Sequence, residues 1–342
     1  MMTVSRRSVL KSLAAVPAAM VASRYAGAAD ARVIKISHQF PGGTIDSGDF
    51  RDRLTRKFAV EVEKRTNGSL KFEIYPGSSL MKTVAQFSAL RKGALDMSLY
   101  PLAYAGGEVP ELNIGLMPCM VTSYEQGFAW KKAQIGRELV KLLEAKGVKM
   151  VTWIWQAGGT ASRAAPVVEP NDAKGLKIRG GSREMDLMLK EAGGIISSVP
   201  SNEIYPAMQT GSLDAAVTSS TSLISFRLEE ISKALTSGRG KSFWYMLEPL
   251  IMSKDVYDSL NPAQQKAIAD VGQELETFAT SSARIDDEAV VAVYKKAGAK
   301  VADMDDATVN RWRKIAETAA WVDFTKRNAE CDRFLKMAKA VA

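Results

Sequence analysis

Histidine is almost absent from this sequence. His38 is the only one among 342 residues, and Cys119 and Cys331 are the only cysteines. Every Ser-His-Asp or Cys-His scheme would have to share that one imidazole, which removes most hydrolase constellations. No CxxC spacing or His/Cys cluster offers a metal set, and the two cysteines, far apart in the chain, read as small buried hydrophobes. No G-x-G-x-x-G is present to cradle a dinucleotide. No enzyme activity and no cofactor are expected. No dense Lys/Arg patch with interleaved aromatics occurs, so nucleic acid is not an expected partner. After the N-terminus no apolar run approaches about 18 residues, the length a membrane span needs.

Charge is unevenly distributed. The formal net charge is +8, yet Arg6, Arg7, Lys11 and Arg24 stand in the first 28 residues with no acid among them. Arg6-Arg7 precedes an apolar stretch from Ser12 to Ala22, and Ala26-Gly27-Ala28 supplies small residues at a cleavage site. This pattern is a leader peptide of the twin-arginine type, cut near Ala28, and it predicts a periplasmic protein.

Beyond the leader the chain alternates strands and helices. Val33, Ile34 and Ile36 predict a strand; Phe50, Leu54, Phe58 and Val62 predict a helix that Asn67-Gly68 ends. Leu70–Tyr75 alternates as a second strand before Pro76-Gly77, a helix is predicted from about Met81 to Lys92, and a third strand starts at Leu95. Such a β-α-β-α-β series implies a parallel or mixed sheet covered by helices. The grammar then recurs. Ser88–Leu99 and Pro206–Val217 both read as a helix tail, a glycine exit (Gly93, Gly211), a Leu-Asp pair (Leu95-Asp96, Leu213-Asp214) and a small-residue strand. Two similar lobes are therefore expected, as the length of the chain also suggests. Later, Asn261-Pro262 caps a helix that runs without a further proline to about Lys296. The tail with Trp312, Trp321 and Phe324 reads as amphipathic helix packed on the second lobe.

Three blocks carry a family resemblance. Lys57–Gly68 with Leu70–Gly77, Gly175-Leu176-Lys177-Ile178-Arg179, and Glu203–Gly211 with Leu213-Asp214 resemble the DctP-type solute-binding proteins of tripartite ATP-independent periplasmic (TRAP) transporters. The resemblance implies an α/β clamshell of two lobes with mixed sheets, several chain crossovers and a long lobe-spanning C-terminal helix. It also implies a receptor that closes on a small organic acid and delivers it to the membrane subunits of the transporter. An ATP-driven periplasmic binding protein, or a partner that presents ligand to a sensor, is the alternative. The expected division is residues 1–28 as leader, 29–157 plus 245–285 as lobe I and 158–244 plus 286–342 as lobe II, in a monomer.

Arg179 matches the family's ligand-clamping arginine. It also stands at the C-terminal end of a strand before Gly180-Gly181, where open α/β sheets place ligand groups, and its planar fork suits a carboxylate. Arg163 corresponds to a second arginine of some members. Thr218 takes the place where many members carry an asparagine, and with Ser219 it makes that wall small and polar. Trp155 and Trp244 are candidate apolar walls, and Tyr100 and His38 candidate contacts from lobe I, with Tyr104 and Phe40 beside them. Trp153 and Trp155 are expected on one strand, facing one side.

Overall fold

The computed structural model describes residues 31–341; the leader and its cleavage point lie outside them. Strands are numbered in chain order. The first sheet has the order β2 (Leu70–Tyr75), β1 (Arg32–Ser37), β3 (Met97–Leu99), β11 (Leu250–Ser253), β4 (Val148–Thr152). The second has the order β12 (Lys300–Asp303), β9 (Ala234–Ser237), β5 (Trp155–Ser162), β8 (Ala215–Ser219), β6 (Lys177–Arg179), β7 (Ile195–Ile196), with β10 (Tyr245–Leu247) also on β5. Each sheet repeats one plan. The strand second from one edge, β1 or β6, is flanked by two parallel partners reached through helices. The next strand, β11 or β5, is antiparallel and arrives from the other lobe.

The sequence repeat marks equivalent corners. Gly93 and Gly211 adopt positive φ (66° and 79°), a conformation that glycine enters without steric cost. Leu95 and Leu213 are buried behind them. The two aspartates then do the same task. Asp96 accepts the Lys35 amide at 2.8 Å, and Asp214 accepts the Lys177 amide at 2.9 Å, fastening the corners to β1 and β6, each the second strand from an edge of its sheet. The helix before the first corner is shorter than expected, a turn at Thr83–Ala85 followed by Gln86–Arg91.

One expected strand does not exist. Between Thr152 and Trp155 the chain leaves the first sheet and enters the second, so Trp153 and Trp155 belong to no common strand. The Trp153 amide loses its ladder partner at this crossing and donates instead to Glu276 at 3.1 Å. Glu276 lies on the helix Pro262–Lys296, whose 35 residues span about 50 Å. An Asn261–Gln264 capping box starts it. This helix packs on the helix Phe50–Arg65 and on β4, and also on the helix Ser220–Ser225 and on β5, β9 and β12. It therefore braces both lobes.

Gly272 lets this brace approach the crossing. A Cβ there would stand 2.4 Å from the Val151 carbonyl oxygen, a backbone atom that cannot swing aside. We expect Gly272→Ala to lower the melting temperature, by roughly 1–3 kcal/mol of overpacking. Helix propensity alone favours alanine by about 1 kcal/mol. An unchanged or raised melting temperature would show that the approach is not tight.

The tail departs from expectation in its last turns. Asp306–Ala316 packs on the second-lobe helix Arg183–Glu191, and the Trp312 indole donates to Val168 O at 2.8 Å. The helix Ala329–Lys339 then returns to the first lobe, where Asn328 donates to Glu111 at 3.0 Å and Arg333 to Glu138 at 3.0 Å. Among the described residues no helix is long and apolar enough to cross a membrane.

Candidate functional site

The two lobes meet at the C-terminal ends of β1, β3, β6 and β8. Arg179, the last residue of β6, is 2% exposed. Its guanidinium donates from Nε to Val199 O (3.0 Å), from Nη1 to Val217 O (2.8 Å) and from Nη2 to the Tyr104 hydroxyl (2.7 Å). These acceptors fix the fork but carry no charge. Three of its five N–H groups are thus used, and no carboxylate lies within ion-pair distance of it among the described residues. Gly181 makes room for the fork, since a Cβ there would come within 2.7 Å of Nη1. Tyr104 belongs to the first lobe, and its oxygen also accepts the Ser201 amide of the second at 3.1 Å. The contact exists only with the lobes together. A cavity of about 250 Å³ opens beside it, between Ala103–Tyr104 on one side and Gly181–Ser182 and Val199 on the other.

Arg51 is the second buried guanidinium, and it is differently placed. It is fully buried on the first-lobe helix, with its carbon over the Phe40 ring at 3.6 Å. Asp49 takes Nε at 2.9 Å and Nη2 at 2.6 Å, and Glu248 takes Nη1 at 3.2 Å. Ser219 and Ser222 of the second lobe accept its remaining hydrogens at 3.4 and 3.1 Å. All five donors are committed, so Arg51 joins the lobes and has none left for a ligand. Burial would lower its pKa, but Asp49 and Glu248 hold it above the usual arginine range. Burial pushes the Glu248 carboxyl up to about 7, against the pull of Arg51 and of the Gln156 amide.

The remaining candidates divide. Trp244 is buried beside Arg179: its indole donates to Gly180 O at 3.2 Å, and its ring lies where a Cβ on Gly158 would be, 2.4 Å from Cε3. Thr218 is buried in β8 opposite Gly159, next to the Val217 carbonyl that holds Arg179. The Ser219 hydroxyl caps the helix Ser220–Ser225 through the Ser222 amide, besides meeting Arg51. Tyr100 packs edge-on to Tyr104, with ring centroids 6.1 Å apart, and is buried. His38 is stacked on Phe40 and its Nε2 sits 3.2 Å from Asp52, a structural partnership at the rim of the group.

Two candidates fall outside. Arg163 is exposed at the opposite end of β5, with Nη1 3.9 Å from Asp214, because seven residues of strand carry it away from Trp155 and the lobe junction. Trp155 turns to the other side of β5, where it meets the Trp130 ring at 5.3 Å and the backbone of Gly127, and is core. Conversely, sequence reasoning missed Gln39, Arg51, Gln156 and Glu248. A signal existed for two of them. Arg51 sits on the apolar stripe of its helix with Leu54 and Phe58, and Glu248 is a lone acid between Tyr245-Met246-Leu247 and Pro249-Leu250-Ile251.

Residues 46–326 match the family described as bacterial extracellular solute-binding protein, family 7 (DctP). The chain belongs to this family. A relative from Albidiferax ferrireducens, named a solute-binding protein, is 59% identical over 334 residues, 98% of each chain. The crystal structure of a TRAP periplasmic solute-binding protein from Rhodoferax ferrireducens, with bound malonate, shares 62% identity and a TM-score of 0.89 over 90% of this chain and 98% of that one. The C4-dicarboxylate-binding periplasmic protein DctP of Rhodobacter capsulatus is 27% identical over 296 residues, 85% of this chain and 86% of its own. As a family 7 member the chain is an extracytoplasmic TRAP solute receptor for small organic acids, built as the expected two-lobed α/β clamshell.

Proposed function

We propose that the two lobes close on one small organic anion held by Arg179, and that the closed form hands it to the membrane subunits of a TRAP transporter. The observation that carries this reading is a buried guanidinium with two N–H groups to spare and no acid within ion-pair distance, the nearby Asp186 being held instead by the Gly180 amide and the Ser198 hydroxyl. A buried unpaired charge costs several kcal/mol, and a ligand carboxylate would supply the missing partner in bidentate form. Tyr104 and Arg51 link the lobes in the closed arrangement, so an anion that favours this arrangement shifts the balance by its differential affinity. We assign the lobes much as the sequence suggests, 29–157 plus 245–285 and 158–244 plus 286–342, but with the boundaries moved to the sheet crossings at residues 153–154 and 248–249, and with the tail from Asn328 folded back on lobe I. The protein acts as a monomer, without covalent chemistry, after export through the twin-arginine leader.

The malonate found on the Rhodoferax ferrireducens protein makes short carboxylates the first compounds to try. Thermal-shift measurements on the mature chain should show that these acids raise the melting temperature. At a hundredfold excess over Kd the stabilisation is about 2.7 kcal/mol. Neutral sugars should leave it unchanged; a shift with sugars alone would end the anion reading.

A further inference from the structure

Buried polar atoms that lack partners gather at one edge of the first sheet. Strands β1 and β3 pair at Ser37 and Ser98, so Gln39 and Tyr100 each follow that pair by two residues and leave the sheet side by side. Strand β11 runs antiparallel to β3 with Leu250 opposite Leu99, and the Tyr100 amide donates to Pro249 O at 3.0 Å. Glu248 therefore arrives at the same edge. Gln39 is 1% exposed, and neither its Nε2 nor its Oε1 has a partner. The Tyr100 hydroxyl and Glu248 Oε1 are equally without one, on side chains that are fully buried.

This edge faces the site on both sides. Tyr100 packs on Tyr104, which accepts from Arg179, and Phe40, the neighbour of Gln39, lies under Arg51. Each orphaned buried group costs about 1–3 kcal/mol, so four such atoms at adjoining strand ends call for partners from outside the chain. Their chemistry limits what it is. Gln39 offers a donor and an acceptor, the Tyr100 hydroxyl offers both, and the free oxygen of Glu248 is an acceptor when ionised. A methyl group meets none of these needs. A second carboxylate only accepts and leaves Gln39 Oε1 and Glu248 Oε1 unmet. An ammonium only donates and leaves Gln39 Nε2 unmet. A hydroxyl both donates and accepts, as a water does, and it can take the place of a water that satisfies these atoms when no solute is bound.

We propose that Gln39, Tyr100 and Glu248 form a subsite that reads hydroxyl groups, so that the solute is a short hydroxy- or polyhydroxycarboxylic acid. The subsite rests on the reading of Arg179 as the carboxylate clamp. Titration calorimetry on the mature chain with matched pairs tests it: propionate against glycerate, and malonate against hydroxymalonate. The hydroxylated member of each pair should bind at least tenfold more tightly. Gln39→Leu and Tyr100→Phe should each cut that preference at least fivefold, while the exposed Arg163→Ala keeps it. Tyr100→Phe removes one oxygen and keeps the ring against Phe87 and Tyr104, so it decides the matter even where Gln39→Leu does not fold. Equal binding within both pairs, or a preference that survives both variants, overturns the subsite. If the acids bind, Arg179→Ala abolishes them and the pairs remain equal, the subsite alone is wrong. If no acid binds, the clamp fails and the subsite with it.

Discussion

Arg179→Ala is expected to weaken binding of any acid that stabilises the wild-type protein by roughly 100- to 1000-fold, about 3–4 kcal/mol. The magnitude follows from burial. At 2% exposure the guanidinium meets its ligand out of water, where a charge-assisted pair is strong and its removal leaves the carboxylate unmatched. The fold should not suffer in proportion. The alanine variant loses three hydrogen bonds to uncharged oxygens, at Val199, Val217 and Tyr104, but also removes a buried cation that makes no direct ion pair in the protein. Its melting temperature without ligand should stay within a few degrees of wild type. Arg179→Lys keeps the charge and loses the fork, so an intermediate loss is expected. Calorimetry on wild type, Arg179→Lys and Arg179→Ala, with melting curves for each, checks the series. Affinity in the alanine variant within threefold of wild type would remove Arg179 from the site.

How much of this was legible in the sequence depends on how local the cause is. The corners at Gly93 and Gly211 were readable because each is set by a short run of residues, a left-handed glycine, a buried leucine and an aspartate that binds a strand amide. The long helix was readable for the same reason, since Asn261 and Pro262 fix its start. The place of Arg179 at the end of a strand was readable because a strand end before two glycines is a local feature. The crossing at Trp153 was not, because a two-residue gap between sheets looks like unbroken alternation until the partner strands are known. The placement of Trp155 and Arg163 away from Arg179 was not readable either: a residue on a strand faces one way or the other, and the strand's length decides which end reaches the cleft. Gln39 and Gln156 left no trace in composition, since a buried amide and an exposed one are written with the same letter.

Arg51→Ala is the variant expected to harm the fold most. Its guanidinium neutralises two buried carboxylates, Asp49 and Glu248, and ties both to Ser219 and Ser222 across the lobe junction. Removing one member of a buried ionic group leaves uncompensated charge and typically costs about 3–5 kcal/mol. For a chain of this size that is roughly 5 °C or more in melting temperature. The loss should depend on pH, and the sign is set by Glu248. Its folded pKa is already raised to about 7 from 4.5, so the carboxyl disfavours folding as pH rises between those values and costs most above 7. Without Arg51 the carboxyl is still harder to ionise, and the penalty at pH 8 should exceed that at pH 5, where Glu248 is neutral in the folded chain. Adding Glu248→Gln to Arg51→Ala removes one of the two stranded acids and should recover about 1–2 kcal/mol at pH 8 and little at pH 5. Melting curves of the single and double variants at both pH values decide it. An Arg51→Ala protein as stable as wild type at pH 8, or a double variant less stable than the single one, would mean that the two acids do not depend on this arginine. The contrast with Arg179 is the physical point: two buried guanidiniums flank the same strand end, one fully paired within the protein and holding the lobes together, the other left with donors to spare for a solute.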